Sequence, residues 1–137
     1  MTKKLYVLML MLFVQTGMAA DGSWDGGGSN VVISQRGIST SSPVMRPHGV
    51  IPPGRIMTSI HWNYKLQAFP PPGLRVALCT PGLCVPLDGG SGSTQALQGI
   101  DANNPLYFLY MLPGKGATKP PVRVLTYQVL VNYREQH

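Results

Sequence analysis

The stretch LRVALCTPGLCVPLDG, residues 74 to 89, holds both cysteines of the chain, Cys79 and Cys84, on either side of a Pro-Gly pair. Such a pair can be a redox couple, half of a metal site or a staple across a turn. The spacing is not C-x-x-C, and no second C-x-x-C or H-x-x-x-H supplies further zinc ligands. A disulfide is therefore the expectation. Both flanks alternate in polarity, and folding them back about Thr80-Pro81-Gly82-Leu83 sets Cys79 against Cys84. The same register places Leu78 against Val85, Ala77 against Pro86, Val76 against Leu87 and Arg75 against Asp88. Val76, Leu78, Val85 and Leu87 then share a core face, with the sulfurs and the Arg75/Asp88 pair on the other. Closing so short a loop contributes about 2 kcal/mol by the chain-entropy estimate. The bridge pins a hairpin without holding a domain together.

A disulfide presupposes an oxidising compartment, and the first residues agree. Lys3 and Lys4 precede an apolar run, Leu5 to Val14 (LYVLMLMLFV), which closes in QTGMAA. This is the pattern of a secretory signal peptide, cut after Ala19 or one residue later after Ala20. The apolar run is shorter than the roughly 20 residues that a membrane helix needs. No later segment qualifies as a span. The expectation is a soluble exported protein with a signal over residues 1–19 and a single domain over residues 20–137.

Between frequent glycines and prolines lie apolar runs of period two, the mark of half-buried strands. TSIHWNYKLQ puts Ile60, Trp62, Tyr64 and Leu66 on one side. VRVLTYQVLVNYR puts Leu125, Tyr127, Val129, Val131 and Tyr133 on one side, all expected in the core. PLYFLYML is apolar on both faces and reads as a central strand, and NVVIS is a shorter candidate. With the cysteine hairpin this predicts an all-β fold, one antiparallel β-sandwich of about six to seven strands. DGSWDGGGSN (21–30) and STSSPVMRPHGVIPPGR (39–55) read as loops, the second with room for a short edge strand. PGKGATKPP (113–121) reads as a turn whose prolines delay pairing until Val122.

Charge excludes some functions. The formal net charge is +6, or +4 once Lys3 and Lys4 leave with the signal, and the remaining cations are scattered. No basic run with interleaved aromatics marks a nucleic-acid binder. A weak attraction to anionic lipid or to an acidic protein partner stays open. The acidic residues Asp21, Asp25, Asp88, Asp101 and Glu135 fall in turns and at termini, and His48, His61 and His137 are dispersed. No catalytic motif accompanies them. PGKGATK and GGSGST fail the phosphate-loop pattern, and DGSWDGGGSN lacks the ligand register of a calcium loop. No catalytic residue, metal site or cofactor is predicted.

Function then rests on surface. Trp24, among glycines, reads as a plug closing one end of the sandwich or as a ligand-stacking residue, and the plug is favoured. One route to a partner is strand addition at an exposed edge. The preferred route is a patch of loop residues such as Trp24, Arg36 and the 43–55 segment. The preference arises because Pro52, Pro53, Pro70, Pro71, Pro72, Pro86, Pro120 and Pro121 look placed to blunt edges. A carbohydrate-binding or hydrolase-inhibitor module is the alternative, though it needs exposed aromatics grouped on one face.

GSW after the signal, SQRGIS followed by SS, SIHWNYKL, PPGLRVALC with four residues to CVPLDGGSGST, PLYFLYMLPGKG and YQVLVNYR occur in order from Gly22 to Arg134. Together they resemble the FlhE family of periplasmic flagellar proteins. Nothing is carried onto 43–55 or 135–137. The resemblance implies a non-enzymatic protein of flagellar assembly. It also implies binding to rod or hook subunits, or to export and basal-body proteins, in a chaperone-like role or in gating the export apparatus against proton leak.

Overall fold

The computed structural model describes residues 21–136, and the signal-peptide expectation lies outside them. Eight strands form two antiparallel four-stranded sheets. They are β1 (Gly22–Arg36), β2 (Thr40–Ser41), β3 (Arg55–Leu66), β4 (Arg75–Thr80), β5 (Leu83–Leu87), β6 (Ser91–Thr94), β7 (Tyr107–Met111) and β8 (Gly116–Glu135). The first sheet has the order β1-β8-β3-β6 and the second β2-β7-β4-β5. Their inner faces enclose one apolar core.

The cysteine hairpin forms in the register that its alternation predicts. Cys79 pairs with Cys84, Leu78 with Val85, Ala77 with Pro86 and Val76 with Leu87, and the two sulfurs are bonded at 2.05 Å. Pro81 and Gly82 make the turn, with Gly82 at φ 82°, a conformation that glycine adopts at no steric cost after proline. Val76, Leu78 and Val85 are buried. Two details differ. Cys79, on the outer face, is fully covered, because β4 is an interior strand and β7 sets Tyr107 beside it. The β4–β5 ladder also ends at Val76 and Leu87, one position short of the expected Arg75/Asp88 pair, and Arg75 is paired only on its other side, with Met111 of β7.

The last strand is the middle of its sheet. β8 pairs with β1 along one side and β3 along the other. Tyr127, Val129 and Val131 face the core as expected, but Leu125 is 44% exposed and Val124 is buried in its place. A bulge is the reason. Lys65 pairs with Thr126 while Leu66 pairs with Val124, so Leu125 is an extra residue and the inward parity switches there. A second irregularity surrounds the prolines. Val122 pairs with Ile33 as expected, yet β8 also continues on the far side of Pro120-Pro121, with Ala117 against Gln35 and Gly116 against Arg36. Thr118 turns inward there and donates from its hydroxyl to the carbonyl of Ile33 at 3.0 Å.

The glycine-rich segment expected to be a loop is instead the first half of β1. Gly26 pairs with Val129 and Gly28 with Tyr127. These glycines are notches in the inner face. A Cβ at Gly28 would collide with the Tyr127 hydroxyl, and one at Gly26 would lie 3.0 Å from the Cβ of Met45. Trp24 is 6% exposed, and its indole N–H donates to the carbonyl of Ala102 at 2.9 Å. It is a plug, and the ring is not available for stacking on a ligand. Nor do the prolines guard the edges as a set. Among them only Pro86 lies on an edge strand, β5, whereas Pro120 and Pro121 interrupt the interior β8 and β1 forms an edge without proline.

Across the core, Tyr64 and Tyr127 of the first sheet meet Phe108 and Tyr110 of the second edge-on. The Tyr64–Tyr110 and Phe108–Tyr127 centroids are both 5.7 Å apart. The Tyr110 hydroxyl is buried without a hydrogen-bond partner. Burial first, then the neighbouring Tyr64 and Tyr127 phenols, push its pKa far above the usual value for tyrosine.

Candidate docking site

The acidic residues Asp21, Asp25, Asp88, Asp101 and Glu135 are all exposed. Asp101 is engaged locally, accepting the Asn103 N–H at 2.8 Å. Among the described residues no three His, Cys, Asp or Glu side chains are placed to hold a metal ion. Asp25 and His61 share the outer face of the first sheet, but Leu130 lies between them in the register.

One end of the sandwich has a different character. Arg36 at the end of β1 pairs with Gly116, Leu66 at the end of β3 pairs with Val124, and Arg75 at the start of β4 pairs with Met111. These registers bring the loop after β3 and the proline segment of β8 together. The loop, Gln67 to Leu74, reads QAFPPPGL. Its first residue is tied to β8 by the Gln67 N–H donating to the Arg123 carbonyl at 2.9 Å, and its end is closed by the Leu74 N–H donating to Pro71 at 3.2 Å. Three consecutive prolines, each with φ fixed near −65°, leave the tip few ways to fold back. Phe69 is held out at 95% exposure.

Beside it lies a groove of about 470 Å³ between the loop and β8. Leu66, Pro71, Leu112, Pro120, Pro121 and Val122 give it an apolar lining, and Arg36, Lys119 and Arg123 stand among the lining residues as cations. A second hollow on the other side of the loop, about 690 Å³, shares Leu66, Phe69 and Pro71 and extends to Tyr64 and Leu74. No carboxylate lines either. The Arg123 guanidinium is steadied by donating to Asn30 Oδ1 at 3.0 Å, while Arg36 reaches the Pro113 carbonyl at 3.5 Å, the outer limit of a hydrogen bond. An isolated exposed apolar side chain is ordinary on a protein surface. A fully exposed phenyl ring on a stiff loop over an apolar groove with three cations makes this end of the sandwich the candidate docking site.

The structure separates the residues expected to form one patch. Trp24 and Arg36 lie at opposite ends of the same strand, roughly 40 Å apart at the rise of an extended chain. The 43–55 segment belongs to the Trp24 end, where Met45 bridges Leu106 and the Asn103 amide donates to the Ile51 carbonyl at 3.1 Å. Of the two named candidates only Arg36 lines the groove, and Trp24 is interior. Phe69, Lys119 and Arg123 escaped the sequence reading. A usable signal existed for Phe69: three consecutive prolines directly after it lack the N–H groups to continue a ladder, so the strand pairing must end near it and its side chain has no assured place in the core.

Comparison with known proteins decides the family. The family model described as flagellar protein FlhE matches residues 30–134. This chain belongs to the FlhE family. Flagellar protein FlhE of Salmonella typhimurium is 41% identical over 93% of this chain and 97% of its own length. The FlhE of Escherichia coli K12 is 39% identical over 95% and 97%, and that of Yersinia enterocolitica 41% over 84% and 83%. A crystal structure of FlhE, 38% identical, superposes with a TM-score of 0.80 over 85% of this chain and 99% of that one. The sandwich is therefore the fold of the FlhE family. The span matched by the family model takes in Arg36, Phe69, Lys119 and Arg123, and begins after Trp24.

Proposed function

We propose that this FlhE-family chain is a non-enzymatic accessory of flagellar assembly that acts in the periplasm by binding another protein. That protein is a rod or hook subunit, or a component of the export apparatus or basal body. Holding a subunit in this way would delay premature assembly, and holding an export component would limit proton leak through it. Family membership supports the flagellar role. The Cys79–Cys84 disulfide supports an oxidising compartment. Among the described residues no helix is long and apolar enough to cross a membrane. The observation that carries the binding mode is Phe69, fully exposed over an apolar groove with three cations among its lining residues. A sugar-binding surface is less well supported, because Trp24, Trp62, Phe108, Tyr110 and Tyr127 all point inward and Phe69 has no second exposed ring beside it.

The test is complementation of a strain lacking the gene, read as swimming on soft agar. Phe69→Ser and the triple change Arg36→Gln, Lys119→Gln, Arg123→Gln are expected to lose complementation while keeping wild-type periplasmic levels. Single alanine changes at His48, His61, Asp88 and Asp101 are expected to complement fully. Loss of function in a folded variant of that second group would return a catalytic reading to consideration.

A further inference from the structure

We infer that the groove beside Phe69 receives a short polypeptide segment of the partner in which an apolar side chain is flanked by carboxylates. This rests on the docking function proposed above and adds the chemistry of the occupant.

Three observations point the same way. The first is charge: Arg36, Lys119 and Arg123 line the groove and no Asp or Glu does. A partner bringing carboxylates gains attraction and meets no negative charge in the lining, whereas a basic segment would meet three cations. The second is the nature of the walls. Pro71, Pro120 and Pro121 are among the lining residues and have no N–H to offer, so the groove is a poor template for adding a strand by backbone hydrogen bonds. Recognition then runs through side chains, with an apolar one seated on the half-buried Leu66 and Val122 and its neighbours reaching the guanidinium and ammonium groups. The third is the Asn30 contact, which already orients Arg123 at 3.0 Å and lowers the ordering cost of using it.

The same cations beside an exposed phenyl ring could also rest on an anionic membrane. Shape argues against that. The cations line a concave groove of about 470 Å³, within the size range of pockets that enclose a ligand, while a membrane presses on a convex, broadly apolar face. Phe69 is the one fully exposed large apolar side chain of the loop, Leu74 being packed against the core and Ala68 and the prolines being small.

The experiment places a photo-crosslinking phenylalanine analogue at position 69 of the full chain in flagellated cells and maps the adduct by mass spectrometry. The mapped segment is then made as a fluorescent peptide for anisotropy titrations with the purified protein. The expected adduct lies on a protein segment with at least two Asp or Glu close to an apolar residue. Its peptide should bind about tenfold more weakly to the double variant Arg36→Gln, Arg123→Gln, and similarly when its carboxylates are replaced by amides. Raising the salt to 0.5 M should weaken it comparably. An adduct on lipid, on a basic segment or on a second copy of the chain would overturn the inference, as would salt-insensitive binding or no adduct at all. The swimming assay separates the two levels. If Phe69→Ser abolishes swimming while the adduct is lipid or basic, the docking function stands and the acidic occupant falls. If Phe69→Ser swims normally and no adduct forms, the docking function itself fails.

Discussion

Trp24→Ala should cost more than any other single change in the first strand, and the structure indicates how the loss will be distributed. The ring is 6% exposed and its N–H is bonded to the Ala102 carbonyl at 2.9 Å. Truncating a buried Trp or Phe to Ala costs about 3–5 kcal/mol, a large fraction of the roughly 5–15 kcal/mol that a domain possesses. The inner-face positions that follow are Gly26 and Gly28, which bring no side chain. Between Trp24 and Val31, therefore, nothing else on β1 is anchored in the core. With the indole gone, residues 22–29 are held to β8 by backbone bonds alone. Urea denaturation should show a fall of several kcal/mol, and amide exchange of a 22–29 peptide should rise well before that of a peptide covering Val31 to Arg36. Trp24→Phe keeps most of the contact but drops the hydrogen bond, and should lose only about 1–2 kcal/mol. A Trp24→Ala protein that loses less than about 1 kcal/mol with residues 22–29 still protected would refute the anchoring argument.

The bulge in β8 makes a contrasting pair: Leu125→Ser should change stability by less than about 0.5 kcal/mol, whereas Val124→Ala should cost about 2 kcal/mol by urea denaturation. A larger loss at Leu125 than at Val124 would place the bulge wrongly. Alkaline pH should also be destabilising. Burial raises the folded-state pKa of Tyr64, Tyr110 and Tyr127, so these phenols lose protons more readily in the unfolded chain and stability is lost as pH climbs above about 10. Tyr110→Phe should flatten that fall in pH-dependent melts. Because the hydroxyl it removes has no partner, the change should not destabilise the protein at neutral pH.

The parts legible in the sequence are those where local chemistry and tertiary demand coincide. The hairpin register could be read pair by pair because a Pro-Gly turn and two cysteines leave one alignment. Ile60, Trp62 and Tyr64 could be placed because β3 alternates without interruption through them. Leu125 could not, since a bulge is an event of the backbone against its neighbour, and the side chains on either side of it look equally apolar. The segment Gly26-Gly27-Gly28 has no strand preference of its own and is a strand only because Tyr127 and Met45 occupy the room its missing side chains leave. The sequence groups Arg36 with Trp24 and the 43–55 segment, but the cations beside it in the groove, Lys119 and Arg123, come from a strand more than 80 positions later in the sequence. Only the register of β8 with β1 reveals that they share a groove.

That register has a consequence for how the molecule comes into being. An interior strand of the first sheet, β8, is the last of the described strands, and its partner along one side, β1, is the first. Until residues 116–135 are in place, β1 has no partner in its sheet, β3 has only β6, and the aromatic contacts between the sheets lack Tyr127. Contacts joining the two ends of a chain are the slowest to form, because the whole intervening length must be closed into a loop first. The first sheet, and with it the groove beside Phe69, is complete only when these distant stretches have met, so the docking surface and the rigidity of the sandwich arise in the same late step.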